Sequence, residues 1–354
     1  MRFSLPRPQA RATATCAGRG VTSTDSMTVG ADRAGRATMR TVTERKGTGR
    51  MNMAATKHTR ISPVSHVGRV FTDAKIVDSR ALNLVGAQPF RAVLARLLYN
   101  LRPGSDDPLS TELAHTGIIV CEGFLPPDEF TTLEREADEY MTENPPTWEG
   151  SSGTTQVRHL SLASVDPGRH PQLAQWRSHR QILALASRAE RRTCGEGAGG
   201  SLLEKLAFGD CSEPDGQSDL HVDTFFSTHK FWLYLDDVST ENGAFVYVPS
   251  SHLFDRVRLR YEYLESTASN AKSRRVSDDE VRRRGLERRV FACSRNTLVV
   301  ANTCGYHCRS VGQAGASRRA LHHQFRFNPF PQELWNRAGV RKRAARWAER
   351  LSTR

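Results

Sequence analysis

His221-Val222-Asp223 sets an imidazole and a carboxylate two positions apart. In an extended segment, residues i and i+2 project from the same face, so both side chains can reach one point. A second imidazole, His307, lies far downstream, after the apolar run 297–301 and after Gly305, which permits a tight turn. Two imidazoles and one carboxylate on one side of a metal leave the other side open. Iron(II) oxygenases use that open side to bind a co-substrate and dioxygen together. A closed structural zinc site would need four protein ligands. Arg318 follows His307 by eleven residues. Its guanidinium fork suits bidentate pairing with a carboxylate, here the distal carboxylate of 2-oxoglutarate. Arg318 and Arg319 are neighbours on an expected strand, so only one of them can face the interior. Taken singly, each of these residues has an ordinary alternative as a surface histidine, a turn aspartate, a loop histidine or an exposed base. Their order and spacing together favour a site.

These residues need a scaffold of strands. Short β-branched or aromatic runs bounded by turn residues occur at 231–235, 244–248, 296–300 and 320–325, with a turn over 236–243. Helical spacing precedes them. Phe90, Val93, Leu94, Leu97, Leu98 and Leu101 predict a helix over 89–101, ended by Arg102-Pro103-Gly104. A short β run follows at 117–121. A second helix opens after Pro126-Pro127-Asp128, with Phe130, Leu133, Ala137 and Tyr140 on one face. A third is expected over 171–189. A helical N-terminal layer followed by many short strands predicts an α+β protein whose strands form a jelly roll. The strand core is expected over about 201–330, within a domain spanning 85–335. A charged, helix-prone insertion interrupts it over about 254–289, carrying Arg274-Arg275 and Arg282-Arg283-Arg284.

Composition bounds the partners. The chain has 354 residues and a formal net charge of +13. Residues 1–60 hold twelve basic against three acidic residues, so +9 of that charge lies there and +4 in the rest. A basic tail, not a basic groove, sets the charge, which argues against a nucleic-acid partner. The tail is rich in Arg, Thr, Ser, Gly and Ala without apolar periodicity. It is expected to be disordered, and Met51 and Met53 suggest that translation starts beyond it in vivo. A transit peptide or a functional basic arm are its other readings. A second basic helix or tail is expected over 336–354. Seven cysteines form no regular framework, which fits reduced thiols in a cytoplasm. No apolar run of about 18 residues is present, so no membrane-spanning helix is expected.

The sequence resembles the phytanoyl-CoA dioxygenase family from about residue 113 to 329. The likeness rests on Gly117-Ile118-Ile119-Val120 with Phe124-Leu125-Pro126, on His221-Val222-Asp223, and on Trp232-Leu233-Tyr234-Leu235-Asp236-Asp237-Val238. It continues through Glu241-Asn242-Gly243 to Pro249-Ser250-Ser251-His252, and through Gly305-Tyr306-His307 to Arg318. The commoner family form is Pro-Gly-Ser-His, so Ser250 is a small departure. The resemblance implies a double-stranded β-helix, iron(II) and 2-oxoglutarate. It also implies His221, Asp223 and His307 as ligands, Arg318 as the co-substrate clamp, and a structural role for His252. It further implies dioxygen-dependent hydroxylation of an unactivated C–H bond in a small molecule, with succinate and CO₂ released. Related halogenases lack the carboxylate ligand, so Asp223 favours hydroxylation over halogenation. The insertion, which in this family often borders the mouth of the site, is the first place to look for specificity. Its arginines could draw an anionic or carrier-bound substrate, although interleaved acids make a solvated helix the preferred reading. Cys304 and Cys308 flank His307 without a partnering C-x-x-C, which argues against a thiolate site. Trp232, Phe225 and Phe226 are candidate pocket walls that could equally be core, and His322 and His323 are expected to pack. The rival from another class is a catalytically silent jelly-roll binding protein.

Overall fold

The computed structural model describes residues 79–210, 215–268, 274–327 and 329–330. The expected tails over 1–60 and 336–354 lie outside the described residues. Helices α1 (Arg80–Leu84), α2 (Ala87–Asn100) and α3 (Pro108–Thr116) lead into β1 (Ile118–Cys121) and α4 (Pro127–Glu143). Pro127 and the acids Asp128 and Glu129 start α4 as expected, because a first-turn proline loses no hydrogen bond and acids complement the helix dipole. Strands β2 (Trp148–Ser152) and β3 (Thr155–Ser161) form a hairpin that the sequence reading does not anticipate. The third expected helix is broken into α5 (Pro171–Gln175) and α6 (Arg180–Ala189) by a 3₁₀ turn over Trp176–Ser178. The remaining strands are β4 (Gly200–Phe208), β5 (His221–Val222), β6 (His229–Tyr234), β7 (Phe245–Tyr247), β8 (Arg274–Arg275), β9 (Arg289–Phe291), β10 (Thr297–Asn302), β11 (His307–Arg309) and β12 (Ser317–Phe325). Helices α7 (Arg256–Ala268) and α8 (Asp278–Arg283) lie among them.

All pairings are antiparallel. A seven-stranded sheet runs β1-β10-β6-β12-β4-β3-β2, and a five-stranded sheet runs β8-β5-β11-β7-β9. The α+β jelly-roll class read from the sequence is the architecture observed, as two facing sheets with helices at the N-terminal side. Strand alternation divides the apolar residues between two layers. Phe231, Leu233, Leu298, Val300, Leu321 and Phe325 pack outward with α4, α5 and α6. Tyr234, Val299, Ala301 and Ala320 face inward and meet Phe245 and Tyr247 of the smaller sheet.

The insertion is more than a solvated helix. Its strand β8 pairs with β5, setting Arg275 opposite His221. Helix α7 buries Arg258 and Glu262 completely, and Glu262 binds Arg258, Arg274 and Gln88 of α2. Buried charges of this kind persist only when paired and hydrogen-bonded. The acids that suggested solvation split accordingly: Asp278 and Asp279 are exposed, whereas Glu280 is buried against the Tyr306 hydroxyl. Helix α2 differs in detail too. Gln88, Arg91, Ala92 and Ala95 are its buried residues, while Leu97 is exposed.

Candidate metal centre

His221 and His307 are register partners on neighbouring strands β5 and β11 of the smaller sheet. Their ring centroids are 4.5 Å apart. Asp223 follows one residue after β5, held by its backbone N–H to the Thr303 carbonyl at 3.1 Å. Ligand atoms of His221, Asp223 and His307 all lie within 4.8 Å of one another, the one such group among the described residues. The pairwise approaches are 3.9 Å from His221 Nε2 to Asp223 Oδ1 and 3.7 Å from His307 Nε2 to Asp223 Oδ2.

Local sequence explains how distant residues meet. Asn302 accepts from the backbone N–H of Thr228 and of Cys304, and Thr303 N–H donates to the Thr228 carbonyl. These bonds staple the turn before His307 to the loop after Asp223. Gly305 is required at that turn because a Cβ there would overlap the Tyr247 hydroxyl, which donates to the Asn302 carbonyl at 2.9 Å.

The protonation states suit a cation. His221 Nδ1 lies 2.8 Å from the Asp219 carbonyl, and His307 Nδ1 lies 2.9 Å from the Gly305 carbonyl. A carbonyl can only accept, so each Nδ1 carries a proton, and each Nε2 is turned toward the other side chains of the group. Burial, reinforced by His307, pushes the His221 pKa down to about 4, so the imidazole is neutral at physiological pH. Burial alone would raise the Asp223 carboxyl, but His307 and Lys230 outweigh it and hold the group far below the ordinary carboxylate range. Asp223 Oδ2 is buried without a hydrogen bond. Its near neighbour Lys230 Nζ, at 2.7 Å, is an ion-pair partner set off the hydrogen-bonding direction. Two imidazoles and an under-satisfied carboxylate fit a divalent metal.

Arg318 resolves the ambiguity with its neighbour. Arg319 turns outward to Asp236 and to Asp138 of α4. Arg318 turns inward, 6% exposed, with its guanidinium 5.1 Å from the Tyr234 ring centroid and with Nε and Nη1 lacking any hydrogen-bond partner. A buried guanidinium with two nitrogens left without partners fits an incoming carboxylate.

Other candidates separate cleanly. His252 is structural: its Nε2 meets the Ala114 carbonyl at 3.1 Å and its ring fills the space beside Gly117. Ser250 has φ +65, the left-handed region glycine favours, and its hydroxyl donates to the His115 carbonyl. Cys304 and Cys308 are free thiols whose burial pushes both pKa values up to about 11, so neither is a thiolate. Phe225 and Phe226 pack with α2, whereas Trp232 faces the inter-sheet space between Phe245 and His322. His323 faces the opposite way, bonding Ser201 and stacking on Phe325. Lys230 is the residue that sequence reasoning missed. A lone lysine at the inward parity of an otherwise apolar strand, two before Trp232, was the available signal.

No curated protein matches the chain by sequence. Among solved structures, the epimerase SnoN in complex with Fe³⁺, alpha ketoglutarate and nogalamycin RO is 17% identical. That match covers 61% of this chain and 81% of SnoN, with a TM-score of 0.43. AviO1 from Streptomyces viridochromogenes Tue57 is 15% identical over 63% of this chain and 96% of its own, at 0.41. EctD from S. alaskensis is 12% identical over 66% and 83%, at 0.42. The phytanoyl-CoA dioxygenase family model matches residues 113–295, just over half of the chain. The match includes His221 and Asp223 and stops short of Arg318 and of His307, which strand pairing sets opposite His221. The chain therefore belongs to the phytanoyl-CoA dioxygenase family of iron- and 2-oxoglutarate-dependent oxygenases.

Proposed function

We propose that the protein hydroxylates an unactivated C–H bond of a small molecule, with His221, Asp223 and His307 as the iron(II) ligands. Arg318 is proposed as the clamp on the distal carboxylate of 2-oxoglutarate. The observation that carries this reading is the convergence of His221, Asp223 and His307, with Arg318 turned inward on the other sheet and its Nε and Nη1 without partners. Iron with 2-oxoglutarate and dioxygen supplies an oxidant able to replace C–H by C–OH, releasing succinate and CO₂.

The chain's own residues have definable tasks. The Asp219 and Gly305 carbonyls hold the Nδ1 sides of His221 and His307, so each ring would offer Nε2 to a metal. Lys230 restrains the Asp223 carboxylate from one side. Arg318, over the ring of Tyr234, orients the co-substrate, and the Trp232–Phe245 contact excludes water between the sheets. A carboxylate ligand at 223 favours hydroxylation over halogenation. We take residues 85–335 as the catalytic domain, and the free described cysteines agree with a cytoplasmic setting.

Anaerobic loading with Fe(II), then 2-oxoglutarate and oxygen, tests the proposal by succinate yield. The wild type should release succinate, and His307→Ala should abolish it. With a turned-over substrate, hydroxylation adds one oxygen to the product mass, whereas loss of two hydrogens would indicate desaturation or ring closure and overturn the hydroxylase reading.

A further inference from the structure

The inward face of the larger sheet continues past the metal centre. Strand register places Gln324 beside Lys230, and His322 between Trp232 and Leu202. Over this part of the face lies a cavity of about 490 Å³ bounded by β2, β3, β4 and β12. Its walls are chemically one-sided. Among the described residues, no Asp or Glu lines it. Trp148 is 51% exposed and packs at a tilt against His159 with ring centroids 5.0 Å apart, leaving an open aromatic surface. Arg326, exposed at the rim, has no ion pair or hydrogen bond with the described residues.

A second observation points to a ligand. His322 is nine-tenths buried, lines the cavity, and its Nε2 has no hydrogen-bond partner. Burial pushes its pKa down to about 3, so it is a neutral polar group left unsatisfied, at a cost a bound ligand would remove. Gln324, which lines the cavity, is the strand partner of Lys230, whose Nζ lies 2.7 Å from Asp223 Oδ2. Trp232 and Phe245 stand between His322 and His307, with successive ring centroids 5.4 Å (His322–Trp232), 4.9 Å (Trp232–Phe245) and 5.8 Å (Phe245–His307) apart. Arg318 does not line it, so the cavity is separate from the clamp assigned to 2-oxoglutarate.

We propose that this cavity is the substrate subsite, and that it takes a ring-bearing organic anion. The ring lies on Trp148, the carboxylate or phosphate meets Arg326, and His322 with Gln324 hydrogen-bonds the part reaching toward the metal centre. The proposal rests on the oxygenase reading. An aromatic ledge with a few convergent polar groups in a cavity of this size is the usual make-up of a small-molecule site.

The test uses the full chain with Mn(II) in place of iron and saturating 2-oxoglutarate, so that Arg318 is already occupied. Binding of 2-naphthoate, 2-naphthyl phosphate and neutral 2-naphthamide is measured by calorimetry. One or both anions should bind more tightly than the amide, and the tighter one identifies the anionic group. Arg326→Gln should weaken the anions by roughly fivefold or more while sparing the amide. Trp148→Ala should weaken all three, with a thermal melt of each variant reporting its folding. Absence of anion binding by the wild type, equal binding of the amide, or indifference to both substitutions overturns the subsite. Succinate release by the iron-loaded wild type is read in parallel. Turnover without probe binding refutes the subsite alone, whereas probe binding without turnover refutes the oxygenase reading alone.

Discussion

Arg318→Met separates a binding role for Arg318 from a purely structural one. The guanidinium is 6% exposed, with Nε and Nη1 unpartnered. An unsatisfied buried donor costs about 1–3 kcal/mol, more when charged. The contact over Tyr234 returns about 1–2 kcal/mol in a desolvated setting. Glu204, which senses the Arg318 charge, keeps its own bond to His159 at 3.1 Å. The balance leaves Arg318 a net burden of about 1 kcal/mol in the ligand-free protein, and methionine fills similar space without unsatisfied donors. The ligand-free variant should therefore melt about 2–4 °C above the wild type. With Mn(II) and 2-oxoglutarate at a hundred times its Kd, the wild type should gain about 2.7 kcal/mol and the variant almost nothing. The order of melting temperatures thus reverses on adding the co-substrate. Differential scanning calorimetry with and without 2-oxoglutarate reads both arms. A ligand-free variant that melts well below the wild type, or one that keeps the full co-substrate gain, would refute the reasoning.

Four further outcomes are expected. Asp223→Ala should abolish the rise in melting temperature that Mn(II) gives the wild type, because two neutral imidazoles alone hold a hard divalent ion weakly; calorimetric metal titration checks it. Burial depresses His252 and His322 to about 3 and His323 to about 4, below the usual 6.5. Between pH 6.5 and 4 the unfolded chain therefore binds protons that the folded one refuses, so stability must fall with acid. Each group contributes up to about 1.4 kcal/mol per pH unit in that window, and urea midpoints from pH 8 to 4.5 measure the slope. Gly117→Ala places a Cβ against the Tyr247 hydroxyl and His252 at φ +81, and should cost about 3 kcal/mol or more in chemical denaturation. Glu262→Ala strips the carboxylate from buried Arg258 and from Arg274 and should cost about 3–5 kcal/mol, read in the same assay.

Much of the site was legible because its signals are local. His221-Val222-Asp223 needs only an extended backbone to aim two ligands together, and the inward alternation of 231–235 and 320–325 is a period-two pattern. Other features were not legible. The broken helix at Trp176–Ser178 and the β2–β3 hairpin have weak local preferences settled by packing on the sheet. The solvated reading of the insertion holds for Arg275, Arg282, Arg283, Asp278 and Asp279, which are exposed, but charge content does not reveal pairing elsewhere in it. Arg258, Glu262 and Arg274 read as surface residues until their mutual contacts, and Gln88 from another helix, compensate the burial.

The amino-acid sequence alone determined the types and chain order of the proposed ligands and the α+β layering, since these follow from side-chain chemistry and short-range periodicity. Only the tertiary structure decided that His307 sits opposite His221, that Arg318 rather than Arg319 faces inward, and that Lys230 meets Asp223. Those outcomes depend on strand register across long separations, where a shift of one residue turns every side chain to the opposite face.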